Sequence, residues 1–179
     1  MTTHDIELTV NETEVELTVD SRTLLVHALR EDLDYTGPKV GCESSKCGAC
    51  TVELDGDAVK SCTVLAVQAD GASVRTVEGF ADGDDLHPIQ QQFSAEHGLQ
   101  CGYCTPGMVT TTKHLLESNP DPTREEIRTA LKGNICRCTG YQNVVNAVES
   151  AAAALAAGEG ESAPDDVELQ TDYPTPGED

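Results

Sequence analysis

Eight cysteines fall into two groups of four, one in each half of a 179-residue chain. The first group follows the spacing C-x4-C-x2-C, and its fourth member comes after a further eleven residues: Cys42, Cys47, Cys50 and Cys62. Thiolates at this spacing are typical of plant-type [2Fe–2S] sites, in which one loop wraps a small cluster closely. Gly41 and Gly48 remove side chains where that approach is tightest. The four-residue gap favours iron over structural zinc, because zinc sites usually combine two C-x2-C pairs.

The second group consists of two pairs separated by 31 residues, C-x2-C and C-x-C: Cys101, Cys104, Cys136 and Cys138. Each pair stands just before a predicted helix, where free N–H groups and the positive helix end stabilise thiolates. We therefore expect the two pairs to form one four-cysteine site at the end of a helical bundle. Spacing alone leaves two interpretations open, a second iron–sulfur cluster and a structural zinc ion.

The first half of the chain has the alternating pattern of half-buried strands. Apolar residues alternate with polar ones from Ile6 to Val10 and from Val15 to Val19, which predicts an antiparallel hairpin. Ser21 is a candidate cap for a short helix that follows. A second hairpin, Thr51–Lys60, and a strand, Ser73–Val77, complete the prediction of a small α+β domain.

Helical periodicity replaces the alternation after Glu78. Start and stop signals predict four helices, the first around Leu86–Phe93 and the second beginning at Thr105. Thr123 starts the third with a capping box, and the last runs from near Tyr141 to Gly158. The predicted organisation is an α+β fold with a sheet domain at 1–78, a helical domain at 79–157 and an acidic, disordered tail at 158–179.

The composition is strongly acidic, with 32 acidic and 11 basic residues and a formal charge of −21. This balance argues against nucleic-acid and anionic-membrane partners. Because the charge is spread over the whole chain, it favours adaptation to high intracellular salt over one acidic docking face. Met1–Asp5 has neither the basic residues nor the apolar segment of a secretory signal. No apolar run approaches the roughly 18 residues of a membrane span. We expect a soluble cytoplasmic protein whose cysteines bind metal rather than form disulfides.

The sequence offers no other catalytic constellation. Its five histidines are scattered, and no G-x-G-x-x-G, P-loop or G-x-S-x-G motif occurs. The chain is therefore predicted to carry electrons without a substrate or flavin site of its own, which implies partner chains. The alternative is a free-standing two-cluster ferredoxin.

Three segments, GCESSKCGACTVELDG, LQCGYCTPGM and GNICRCTGYQNVV, strongly resemble the small iron–sulfur subunit of molybdenum hydroxylases, the xanthine dehydrogenase family. The likeness covers about Asp5 to Ser150 and is closest to the small subunit of aerobic carbon monoxide dehydrogenase-type enzymes. The resemblance implies a β-grasp ferredoxin-like domain followed by a four-helix-bundle domain. It also implies a second [2Fe–2S] cluster, rather than zinc, at the second cysteine group.

The same resemblance implies an oxidoreductase subunit with no catalytic residue on this chain. The helical-domain cluster would lie nearest a molybdenum–pterin cofactor in a large subunit, and the other cluster nearer FAD in a medium subunit. Gln100 matches the family glutamine that contacts the pterin. The loop Ser44-Ser45-Lys46 differs from the glycine-rich loop of animal xanthine dehydrogenases, which argues against that branch.

Overall fold

The first half of the chain forms a five-stranded mixed sheet in the computed structural model, which describes residues 2–158. The sheet order is β2-β1-β5-β3-β4, with β1 and β5 parallel and the other pairs antiparallel. Both predicted hairpins are confirmed. The strands are β1 (Thr3–Val10), β2 (Thr13–Asp20), β3 (Thr51–Leu54), β4 (Asp57–Lys60) and β5 (Ser73–Arg75).

Two expectations for this half need correction. The fifth strand is shorter than predicted, because the chain already turns into a 3-10 helix at Val77–Phe80. Helix α1 (Leu25–His27), which continues as a π-helical turn over Ala28–Asp32, has no side-chain cap. The Ser21 hydroxyl instead donates to the carbonyl oxygen of Thr2, at 2.9 Å, and so ties the end of β2 to the start of β1.

One apolar face of the sheet packs against α1. Leu25, Ala28 and Leu29 from this segment share a buried core with alternating residues of β1, such as Leu8 and Val10. The alternation in the sequence therefore places one face of the sheet in the core and the other face in water, as predicted. A long connection from residue 33 to residue 50 follows and carries the first three cysteines.

The predicted four helices of the second half are confirmed. The four helices share a separate apolar core, which includes Phe80 from the segment before the first helix. The Thr123 capping box is formed with Glu126, and Gly158 caps the end of the last helix in a left-handed conformation, φ 74°. The tail predicted from residue 158 lies otherwise outside the described residues. The helices are α2 (Pro88–Ala95), α3 (Thr105–Ser118), α4 (Arg124–Ala130) and α5 (Gln142–Ala157).

The two halves meet where α3 packs against β3 and β4. Lys113 of α3 donates to the buried carboxylate of Glu53 on β3, at 2.9 Å. Gly107 lies so close to the cysteine loop that a Cβ atom there would be 2.1 Å from the carbonyl oxygen of Gly48. The first turn of α3 therefore contacts the cysteine loop directly. Among residues 2–158, every helix is too short or too polar to cross a membrane.

Candidate metal centres

The loop after Cys42 curls so that its own amides point at the Cys42 sulfur. The N–H groups of Ser44 and Lys46, at 3.4 Å, and of Cys47, at 3.3 Å, all donate to Cys42 Sγ. Hydrogen bonds from the Ser44 side chain and then from these backbone groups lower the pKa of the Cys42 thiol to about 6. This lowering favours the thiolate form of Cys42, which is the form that binds metal.

The last two members of the first group are buried beneath this loop. Cys50 and Cys62 are 2% and 5% exposed and pack with Val26 of α1. Their side chains share a hydrogen bond, and burial is the main reason that the pKa of Cys50 rises to about 11. A Cβ atom on Gly41 would lie 2.8 Å from Cys47 Sγ, so the glycine leaves the space that this thiol occupies.

The second group forms two sulfur pairs, each with one member from each sequence pair. Cys101 and Cys138 share a side-chain hydrogen bond, and so do Cys104 and Cys136. Burial is the main cause that raises the pKa of Cys104 to about 12, and the contact with Cys136 adds to it. The structure therefore brings together the four residues that the sequence predicts. In the described part of the chain, no three His, Cys, Asp or Glu side chains surround a single metal-ion position.

Cys136 is the acceptor of several hydrogen bonds in this group. The Thr139 hydroxyl donates to its sulfur at 3.2 Å, and the amides of Cys138 and Thr139 donate at 3.4 Å. Burial alone would raise the pKa of Cys136, but these donors and the contact with Cys104 outweigh burial and lower it. Both cysteine groups thus contain one thiol stabilised as thiolate by a local cluster of donors.

Sequence reasoning missed the part played by Tyr141. Its hydroxyl accepts a hydrogen bond from the Cys136 amide, at 2.8 Å, and donates to the carbonyl oxygen of Asn134, at 3.3 Å. Tyr141 is also the residue before α5 and has a left-handed backbone, φ 67°. One signal in the sequence could have indicated this role. An aromatic residue stands at the helix start, directly after Gly140, at a position where a small polar capping residue is usual.

A cavity of about 180 Å³ opens beside the second group. Gln100 lies exposed in the bend just before Cys101. Two large apolar side chains of the cavity lining are exposed, Tyr103 by 49% and Ile135 by 55%, and so is Leu99, next to Gln100 in the chain, by 37%. The cavity is lined by residues of both halves: Gly41, Cys47, Ala49, Cys101, Tyr103, Cys104, Ile135, Cys136, Arg137 and Cys138.

Hydrogen bonds join the two cysteine groups across the domain contact. The amide of Ile135, the residue before Cys136, donates to the carbonyl oxygen of Cys47 at 2.8 Å. The buried side chain of Asn134 donates to Gly48 O at 3.1 Å. The hydroxyl of Tyr103, another residue of the cavity lining, donates to the carbonyl oxygen of Val40 at 2.7 Å. The two sites are thus held in a fixed relation by backbone groups beside their cysteines.

Comparison with known proteins agrees with this arrangement. A family model described as a 2Fe-2S iron-sulfur cluster binding domain matches residues 8–78, and one described as a [2Fe-2S] binding domain matches residues 76–149. The chain is 50% identical over 153 residues to the caffeine dehydrogenase subunit gamma of Pseudomonas sp. (strain CBB1), covering 84% of this chain and 92% of that one. It is 51% identical over 144 residues to the nicotine 6-hydroxylase small subunit of Paenarthrobacter nicotinovorans, covering 80% and 87%.

A solved structure has a similar fold. The chain matches a chain of quinoline 2-oxidoreductase from Pseudomonas putida 86 with a TM-score of 0.84 and 43% identity, over 88% of this chain and 98% of that one. Fold and thiol groups define a protein with two [2Fe–2S]-binding domains in succession. More particularly, the chain belongs to the family of small iron–sulfur subunits of the molybdenum hydroxylases.

Family membership decides between the functions that the sequence left open. The protein is an electron-transfer subunit of an oxidoreductase, and the free-standing ferredoxin is not favoured. The match over residues 76–149 also answers the zinc question in favour of a second [2Fe–2S]-binding domain. The finer resemblance to carbon monoxide dehydrogenase stays a prediction, since the relatives named above carry other names.

Proposed function

We propose that each cysteine group holds one [2Fe–2S] cluster, with Cys42, Cys47, Cys50 and Cys62 at the first site and Cys101, Cys104, Cys136 and Cys138 at the second. The donor sets fit, because both groups supply four thiols and N–H groups already directed at sulfur. The hydroxyl of Thr105, next to Cys104, is buried without a hydrogen-bond partner among the described residues, which leaves a donor available to a cluster sulfur. When bound, each cluster accepts and releases one electron.

The observation that carries the proposal is the 2.8 Å hydrogen bond from Ile135 N to Cys47 O. Ile135 is bonded to Cys136, so one hydrogen bond links a ligand of the second site to a ligand of the first. Electrons cross bonded contacts more readily than gaps, and this contact gives a short route between the sites. The chain's part in the reaction is to hold both sites in place and to shield the first from water through the burial of Cys50 and Cys62.

We further propose that electrons enter at the second site, from a large subunit that binds molybdenum–pterin, and leave from the first site towards FAD in a medium subunit. Support comes from exposure, because Cys101 and Cys138 are exposed, Tyr103 and Ile135 line the same cavity, and the apolar side chain of Leu99, next to Gln100 in the chain, is exposed too. An apolar rim of this kind is typical of a surface that a partner covers. Gln100, exposed within that rim, is the proposed contact to the pterin.

Replacing Gln100 tests this assignment. In the purified complex, Gln100→Ala should leave both cluster signals intact and slow the arrival of electrons from the molybdenum centre, as measured by rapid-freeze paramagnetic resonance. Gln142→Ala, which removes an exposed glutamine at the start of α5, is the matched control and should transfer electrons at the wild-type rate. Purification of an active monomer with neither molybdenum nor flavin would contradict the proposal.

We also propose the division into domains near Glu78 and a cytoplasmic location. The first rests on the change of core at this point, since Val74 packs in the sheet core and Phe80 in the helical core. The second rests on the interpretation of the eight cysteines as metal ligands, because such thiols must stay reduced.

Adaptation to high salt is a further part of the proposal, supported by the formal charge of −21. The pairing of β1 with β2 places Glu7 directly opposite Glu16, a like-charge pair that repels in dilute buffer. Molar salt screens charges beyond about 3 Å, so stability should increase with salt. A melting temperature that rises from dilute buffer to molar potassium chloride is expected, and a flat or falling one would contradict this part.

A further inference from the structure

Both ring nitrogens of His27 face carboxylates. Nδ1 lies 2.7 Å from Glu31 Oε1, and Nε2 lies 2.7 Å from Glu43 Oε1. A neutral imidazole has only one N–H, whereas an ionised carboxylate can only accept. Two such contacts require two N–H donors, so this geometry favours the imidazolium cation of His27. The ring is 30% exposed, and Glu43 at 45% is better sheltered than Glu31 at 69%.

Glu43 is the residue that directly follows Cys42, and its backbone is left-handed, with φ 47°. This conformation is unfavourable for a residue with a Cβ atom, so a contact must hold it. The turn through Glu43 is what directs the amides of Ser44 and Lys46 back to Cys42 Sγ. The His27 contact is a side-chain hydrogen bond that ties this turn to α1, 16 residues earlier in the chain.

We propose that His27 is a positioning residue for the first cluster: by holding Glu43, it fixes the loop whose amides donate to Cys42 Sγ, and it thereby raises the electron affinity of that cluster. The inference rests on the proposed ligation by Cys42. N–H donors to a ligand sulfur favour the reduced, more negative cluster, and so does a nearby cation. Loss of the imidazolium removes both effects at once, and they act in the same direction.

The test is the midpoint potential of each cluster in the full chain carrying both clusters, followed by electron paramagnetic resonance. His27→Gln should move the potential of the first cluster to a more negative value and leave that of the second unchanged. Hydrogen exchange at the amides of Ser44, Lys46 and Cys47 should become faster in the same variant, which reports on the loop without relying on enzyme activity.

Two further variants separate positioning from other causes. His27→Arg keeps the charge and several N–H donors, and it should restore most of the wild-type potential. Glu31→Gln removes the ring's other partner, which is not part of the cysteine loop, and should shift the potential only slightly and towards positive values. Selective loss of the first cluster from His27→Gln, with retention in His27→Arg, would be the strongest form of the expected result.

The proposal is overturned if His27→Gln leaves both potentials unchanged or shifts both clusters equally. It is also overturned if Glu31→Gln produces the same negative shift, or if both His27 variants lose the first cluster. Failure of the proposed ligation is a distinct outcome. In that case the wild-type chain would lack about four iron atoms and two distinguishable signals before any substitution is made.

Discussion

The two cysteine groups differ in how they are assembled and in how much water reaches them. Three thiols of the first group come from one loop, and Cys50 and Cys62 are almost fully buried. The second group combines two chain segments, and Cys101 and Cys138 are exposed. The first site is therefore mainly a product of local loop geometry, whereas the second depends on helix packing and leaves two of its thiols exposed.

This difference bears on function. An exposed site can approach a centre in another chain, and a buried site holds an electron away from water and from unwanted acceptors. The two sites differ in construction, but one backbone hydrogen bond, from Ile135 to Cys47, joins them. Five experiments test the two sites and the contacts that hold them.

The largest effect should come from removing one ligand at each site. Cys136→Ser is expected to abolish the second cluster and leave the signal of the first, while Cys47→Ser should do the reverse. Iron should fall from about four to about two atoms per chain in each case, because the sulfurs of the other site remain. Iron analysis and paramagnetic resonance measure the result, and loss of both signals from a folded chain would show that the sites are not independent.

The ion pair between the halves should matter next. Lys113→Met leaves Glu53, whose side chain is 7% exposed, as a buried carboxylate without its cation. We expect the free energy of unfolding to fall by about 3 kcal/mol in urea titrations. Glu117→Gln removes the exposed partner of the same lysine and should cost less than about 1 kcal/mol. Equal effects in the two variants would contradict a role for the buried pair.

The pH dependence of the same pair has a defined sign. Burial alone would lower the pKa of Lys113, but the hydrogen bonds to Glu117 and Glu53 outweigh it and raise the pKa. A raised pKa contributes stability that is fully present below the ordinary value of 10.5 and is lost as pH rises through the raised pKa. The difference between wild type and Lys113→Met should therefore shrink as the buffer becomes strongly alkaline.

A smaller effect is expected from the backbone contact below the loop. Gly107→Ala would place a Cβ atom 2.1 Å from Gly48 O and push the loop away from α3, which should cost about 2 kcal/mol in the free energy of unfolding. Gly133→Ala is the matched control, because the nearest atom to its Cβ is Lys60 Nζ at 3.5 Å. We expect a change within about 0.5 kcal/mol there. A similar loss in both would refute the close approach.

The smallest effect concerns His27. Its hydrogen bond to Glu43, followed by that to Glu31, raises its pKa above the ordinary value of 6.5. The stabilisation is fully present below that value and is lost as pH rises through the raised pKa. Because the pair is partly exposed, the loss should stay below about 1 kcal/mol. Denaturant titrations across this window should show the decline in wild type and not in His27→Gln.

The sequence determined the features that depend on neighbours along the chain. The C-x4-C-x2-C spacing predicted a loop that supplies three convergent thiols, because so short a segment can wrap a site in few ways. Strand alternation, the Thr123 capping box and the stop at Gly158 predicted both hairpins and the limits of the helices. These signals are local, and the structure follows them except where β5 ends early and where Ser21 fails to cap α1.

Tertiary structure decided the contacts between residues that are far apart in the chain. Cys101 pairs with Cys138 rather than with its sequence neighbour Cys104, because helix packing sets which sulfurs meet. The approach of Gly107 to Gly48 depends in the same way on two cores packing at one angle. His27 reaches Glu43 only because α1 lies beside the loop, and nothing in the pattern of either segment specifies that distance. The cysteine spacing predicted the ligands, but only the packed fold determined their surroundings.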